Sequence, residues 1–175
     1  MQKTSLYTLA VPMTIKSLQN LKAILGKAKV FIDEKKVEDM VLLEARLAID
    51  QYPLVKQVQI ACDNAKGTAG RLANVELPKM EDNEKTLAEL ETRIDKTITF
   101  VQSLTEAQFE GCEEREIPIY FFPGKHLLGF EYVTEMALPN FYFHLTTAYS
   151  ILRHVGLNIG KTDFIGNVDF KDDTK

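Results

Sequence analysis

The chain has 175 residues, 45% of them hydrophobic and 26% charged, with a formal net charge of −4. These values exclude a mostly disordered chain and argue against a nucleic-acid-binding surface, which carries a basic patch. Two cysteines build neither a disulfide framework nor a Cys-rich zinc site, and no apolar run approaches the roughly 18 residues of a membrane span. The first five residues lack a cationic segment, an apolar run and a cleavage site in series, so no secretory signal is expected. The expectation is a soluble, cytoplasmic, single domain over residues 1–168, with a frayed charged tail over 169–175 and neither nucleic acid nor membrane as partner.

In chain order, Tyr7, Val11, Ile15, Leu18, Leu21 and Leu25 recur at three- and four-residue steps, as one buried helix face requires. Pro12 lies inside that pattern and either kinks the helix or marks its start. Gly26 permits a break before a second piece carrying Val30 and Phe31, and a short helix is predicted from Met40 to Leu47. Asp50 is suited to be the N-cap of the second long helix, with Pro53 in its first turn. Leu54, Val58, Ala61, Ala65, Ala69 and Leu72 then form a stripe of mostly small residues that lets a neighbouring helix approach closely. That helix should end near Asn74.

Asp82, or the Thr86-x-x-Glu89 capping-box pattern, opens the third helix. Its face is Leu87, Leu90, Ile94, Ile98, Val101 and Leu104, and Glu89 with Arg93 makes an i,i+4 surface pair worth about 0.3 kcal/mol. From Gly111 to Gly129 the period changes to two. Ile117, Ile119 and Phe121 alternate with Pro118, Tyr120 and Phe122, Pro123-Gly124 suits a type II turn, and His126 to Phe130 forms the return limb of a hairpin. The last helix is predicted to open near Pro139, bury Phe141, Leu145, Ala148, Leu152 and Val155, and stop at Gly156.

Four amphipathic helices with a hairpin before the last describe an all-α helical bundle that needs no cofactor to fold. Of the three histidines, only His144 falls on the border of an apolar face; His126 and His154 do not share it. His154 lies about 15 Å further along the helix axis, so the two cannot share a metal. The plain reading of His144 is a core histidine hydrogen-bonded to a neighbouring helix. Asp50, Gln51 and Gln57 at the start of the second helix are its candidate polar company, although Gln57, like Gln59, Arg71 and Arg153, otherwise reads as surface. Cys62 reads as a small buried hydrophobe, and the carboxylates around Cys112 disfavour a thiolate. Gly156-Leu157-Asn158-Ile159-Gly160-Lys161-Thr162 is one residue short of a phosphate-binding loop and reads as a helix-ending turn. An outward Phe143 calls for cover, most simply by the hairpin.

Leu138-Pro139-Asn140-Phe141-Tyr142-Phe143-His144-Leu145-Thr146-Thr147-Ala148-Tyr149-Ser150-Ile151-Leu152-Arg153, then Gly160-Lys161-x-Asp163-Phe164, resembles a family of uncharacterised bacterial and fungal proteins. Arg46-Leu47-Ala48, Asp50 and Gln57-Val58-Gln59-Ile60-Ala61-Cys62-Asp63 resemble its second-helix signature. That family resembles, more remotely, the DinB/YfiT superfamily of four-helix bundles. The resemblance implies a bundle, often a homodimer, and the hairpin read from the period-two stretch is then a small β insertion before its last helix. In metal-binding superfamily members, a second-helix histidine and a His-x-x-x-His pair on the last helix hold a divalent ion (zinc, nickel or iron), and some are transferases using bacillithiol, mycothiol or glutathione. Only His144 carries over as a metal ligand. Ala148 stands where the second histidine would be, and the second helix has none. The reading is therefore a degenerate member whose groove near His144 binds a small molecule, with His144, Asp50, Gln57 and Tyr149 as candidate ligand-binding residues. The alternatives are a metal-dependent thiol transferase and an oligomerisation module.

Overall fold

A computed structural model describes residues 5–172. Its helices are α1 (Leu6–Ala10), α2 (Pro12–Lys35), α3 (Asp39–Leu43), α4 (Leu54–Leu72) and α5 (Leu87–Gln102). A two-stranded sheet, β1 (Glu116–Pro118) and β2 (His126–Leu128), precedes a helical run of α6 (Gly129–Glu131), a π-helical segment (Tyr132–Ala137) and α7 (Leu138–His154). A short α8 (Lys161–Ile165) follows. Of the expected charged tail, residues 169–172 carry no helix or strand, and 173–175 lie outside the described residues.

Pro12 begins α2 rather than kinking it, because the first helical position has no partner for an N–H in any case. Gly26 does not break that helix. A glycine costs about 1 kcal/mol in a helix interior, less than the burial of Ile24, Leu25, Ala28 and Ile32 on both sides of it returns. The helix expected from Met40 to Leu47 stops at Leu43, with Glu44 following it. Asp50 caps nothing: α4 starts at Leu54, its preceding residue Pro53 is extended, and Asp50 is exposed in the loop before it. Thr86, not Asp82, opens α5, with its side chain accepting from Glu89 N–H and Glu89 accepting in return from Thr86 N–H.

Residue pairs give the packing. Lys22 meets Asp95 and Gly26 faces Glu91, so α2 and α5 run antiparallel. Asp63 meets Arg93 and Gly70 faces Phe100, so α4 and α5, though consecutive long helices, run parallel. Gln57 with His144 on α7 and Arg71 with Tyr132 on the preceding π-helical segment make α4 antiparallel to that continuous helical run. The connection 73–86 must therefore return along the whole of α4. That length is about 28 Å at 1.5 Å per residue, well inside the reach of an extended chain of this size.

The crossover is held by Arg93, which corrects the expectation of a surface pair with Glu89. Glu89 is committed to the capping box, and the Arg93 side chain is only 2% exposed. Arg93 Nη1 donates to Glu84 Oε1 at 2.9 Å and to the Glu81 carbonyl at 3.1 Å. Its Nη2 lies 3.1 Å from Asp63 Oδ1 and 2.9 Å from Asp82 Oδ1. Gln59, expected at the surface, is buried because its Nε2 donates to Glu84 Oε2 at 2.8 Å beneath the crossover.

The hairpin forms as expected, with Ile117 opposite Leu127 and Pro118 opposite His126. Gly124 has φ 78°, which the third position of a type II turn requires. Its return limb ends at Leu128, and helix resumes at Gly129, nine residues before α7 opens at Leu138. Gly156 (φ 98°) ends α7, and Leu157 N–H donates to the Leu152 carbonyl. One apolar cluster fills the space between α2, α4, α5 and α7. A second joins α1, the C-terminal end of α4, β1 and the π-helical segment.

Candidate functional site

The small residues of α4 and the apolar face of α7 bring these two helices together, and the one polar contact crossing that seam is between Gln57 and His144. Both are buried. Gln57 Nε2 donates to the Tyr52 carbonyl at 2.8 Å, which orients the amide and leaves Oε1 as acceptor. His144 Nδ1 lies 2.7 Å from that oxygen and must donate to it. The imidazole is thus held as the tautomer protonated at Nδ1, with its basic lone pair on Nε2. Nε2 makes no hydrogen bond among the described residues. It is not sealed either: among the described residues the sealed, unpartnered side-chain polar atoms are Gln51 Oε1 and Arg93 Nε.

Burial lowers the proton affinity of His144 below the ordinary imidazole value, so the ring is neutral at pH 7. Phe143 stands edge-on to it with ring centroids 5.2 Å apart. The structure therefore joins His144 and Gln57, but not Asp50 or Tyr149. Asp50 is exposed, and Tyr149 points to the other side of α7, where its ring packs on Phe164 at 5.7 Å. The notch there, between α2, α7 and α8 beside Ser17 and Asn20, has a volume of about 10 Å³, room for about one water.

The donor set does not fit a resident divalent ion. Among the described residues no group of three or more His, Cys, Asp or Glu side chains could hold a metal. Gln57 spends its amide on Tyr52 and His144, leaving a single imidazole nitrogen. Neither thiol offers a nucleophile. Burial pushes Cys62 up to about 12, and burial with the nearby Glu113 carboxylate pushes Cys112 up to about 11.

Outside this seam, a cavity of about 350 Å³ lies between the crossover and α5, with Arg93, Glu84, Lys79 and Lys96 in its wall. Helical spacing alone does not reveal it, because the i,i+4 step from Glu89 puts Arg93 on the surface. Arg71, also read as surface, is half-buried and donates to the Tyr132 hydroxyl. The hairpin leaves Phe143 uncovered at 56% exposure, and its own Tyr120, Phe121 and Phe122 are exposed.

Residues 6–165 match the family described as a domain of unknown function, DUF1993. The chain belongs to the DUF1993 family. The crystal structure of a DinB family member from Shewanella denitrificans is 46% identical to this DUF1993 protein, covers 96% of each chain and superposes with a TM-score of 0.92. The fold is accordingly DinB-like, helical with a small β insertion, as the resemblance implies. No curated protein matches the DUF1993 chain. Among its described residues no helix is long and apolar enough to cross a membrane.

Proposed function

We propose that this DUF1993 protein binds a small molecule without a metal, at the α4–α7 seam, with His144 Nε2 accepting a hydrogen bond from the ligand. The observation that supports this reading is the Tyr52–Gln57–His144 chain of hydrogen bonds. It fixes a neutral imidazole with one free acceptor beside an exposed phenyl ring, Phe143. In metal sites the same Nδ1 hydrogen bond orients a histidine ligand, but here the remaining ligands are missing, which counts against the thiol-transferase alternative. The two buried free thiols fit a reducing compartment, and we place the protein in the cytoplasm.

The test is metal content by mass spectrometry on untagged protein, beside His144→Ala, followed by a ligand screen on both. Metal below a tenth of an equivalent in each, even after incubation with zinc, nickel and iron, with screen hits lost in His144→Ala, is the expected result. Near-stoichiometric metal that disappears in His144→Ala would overturn the reading and restore the transferase.

A second reading, self-association as a homodimer, is favoured by the uncovered rings of Phe143, Tyr120, Phe121 and Phe122. Light scattering across a hundredfold dilution series is the check. A mass of one chain throughout would remove it.

A further inference from the structure

We propose that residues 74–85 of the crossover form a latched strap, which lifts off α4 and α5 while the bundle stays folded and uncovers a polar seam between those two helices. The strap carries no helix or strand. Among the described residues, 76–84 make no backbone-to-backbone hydrogen bond. None of the strap's apolar side chains, Val75, Leu77, Pro78 and Met80, is buried. A cavity of about 350 Å³ separates the strap from α5. Lifting it therefore loses little apolar contact and few backbone bonds, which is the condition for local rather than global opening.

What holds the strap is polar and converges on one residue. The Glu84 and Asp82 carboxylates and the Glu81 carbonyl all meet the Arg93 guanidinium. Gln59 donates to the second oxygen of Glu84, and Lys56 pairs with Asp82. The Thr97 hydroxyl lies 3.7 Å from Met80 Sδ. Because three strap groups share one guanidinium, losing it releases them together. The ends are fixed separately. Val75 N–H donates to the Gly70 carbonyl at 3.0 Å, and the Lys85 and Thr86 N–H groups donate to Glu89 Oε2. Asn74, at φ 53°, turns the chain at the first of these hinges.

The floor beneath tolerates exposure. Of the nine buried polar or charged residues among those described, Gln59, Lys66, Arg93 and Thr97 lie on this seam. Water replaces the strap's oxygens at such groups, so uncovering them costs less than uncovering an apolar seam. Closure also leaves Arg93 Nε sealed without a partner, a cost that opening relieves. Cys62 belongs to the same floor: its thiol lies against the Thr97 hydroxyl, in the field of Arg93 and Glu84, and is fully buried while the strap is closed. The closed strap thus fills the Arg93 fork with its own carboxylates, and the open strap presents that fork to solvent.

The experiment labels Cys62 with a disulfide reagent in the full chain carrying Cys112→Ser, over urea concentrations below the unfolding transition. The urea dependence of a rate reports the surface exposed to reach the reactive state, so labelling through the open strap should show less than about half the slope of global unfolding. Asp82→Asn and Glu84→Gln loosen the latch, and each should speed labelling at least about fivefold. The slowest-exchanging amides of α2 and α7 should keep their rates in both variants. Asp95→Asn, which removes an ion pair between α2 and α5 away from the strap, should leave labelling unchanged. A urea slope equal to that of global unfolding, no acceleration in either latch variant, or an acceleration matched by the amides of α2 and α7, would overturn the strap.

Discussion

Gln57 Oε1 and His144 Nδ1 lie 2.7 Å apart across the α4–α7 seam, and the amide carrying that oxygen is itself tied to the Tyr52 carbonyl. One glutamine thereby sets the tautomer of the one buried histidine among the described residues. Replacing Gln57 by Leu leaves the Nδ1–H buried without a partner and should cost about 1–3 kcal/mol in urea unfolding. A loss below about 0.5 kcal/mol would mean that water replaces the amide without cost.

The same pair sets a pH dependence. The proton affinity of His144 is lowered in the folded state, by burial, from an unfolded value near 6.5. Between the folded value and 6.5 the unfolded chain binds more protons, so stability rises with pH across that window. Acidification from pH 7 should therefore destabilise the protein, and His144→Gln should flatten the profile between pH 5 and 7 within about 0.5 kcal/mol. Gln57→Glu places a carboxylate against Nδ1 and should move the imidazole titration upward in proton NMR. An unmoved titration would contradict the assigned contact.

Arg93 makes ion pairs with three carboxylates, Asp63, Asp82 and Glu84, more than any other described side chain. Burial disfavours its charge, but the bond to Glu84 and the charges of Asp63, Glu84 and Asp82 outweigh that and raise its proton affinity. Removing the guanidinium strands Glu84, whose side chain is 8% exposed. Arg93→Met should lose about 3–5 kcal/mol, and amide exchange should accelerate first along the crossover 73–86. Uniform acceleration over α4 and α5 would instead mean that the crossover does not open alone.

Two capping substitutions separate the expected helix starts from the observed ones. Thr86→Ala removes a reciprocal capping box and should cost about 1 kcal/mol. Asp50→Ala should change stability by less than about 0.5 kcal/mol, as exposed positions without partners do. Equal losses at the two positions would restore Asp50 as a cap.

The thiols supply an accessibility test. With Cys62 pushed up to about 12 and Cys112 to about 11, both are protonated at pH 8. A disulfide reagent should label the native protein at least a hundredfold more slowly than the unfolded chain. Rapid labelling of one thiol would locate a region that opens easily.

The helical face of α2, the small-residue stripe of α4, the Thr86 capping box and the hairpin with its Pro123-Gly124 turn were legible in the sequence, because each rests on contacts within a few residues. His144 could be placed on the inner border of its helix by the wheel alone, and the family signature around it pointed to the DinB-like fold. Gln57 could be named as polar company, but so could Asp50, since nothing local distinguishes a buried amide from an exposed carboxylate seven residues away in the same region.

Tertiary structure decided the rest. Arg93 and Glu89 have the spacing of a surface pair, yet Arg93 turns inward because the crossover brings Glu84 and Asp82 to it, from residues that share no periodicity with α5. Arg71 is held by Tyr132, 61 residues away in sequence. Phe143 stays uncovered because the hairpin does not reach it. Periodicity, which is local, determined which residues form helices and which faces are apolar. Which polar groups meet depended on helix direction and on the path of one long connection, and those are properties of the packed chain.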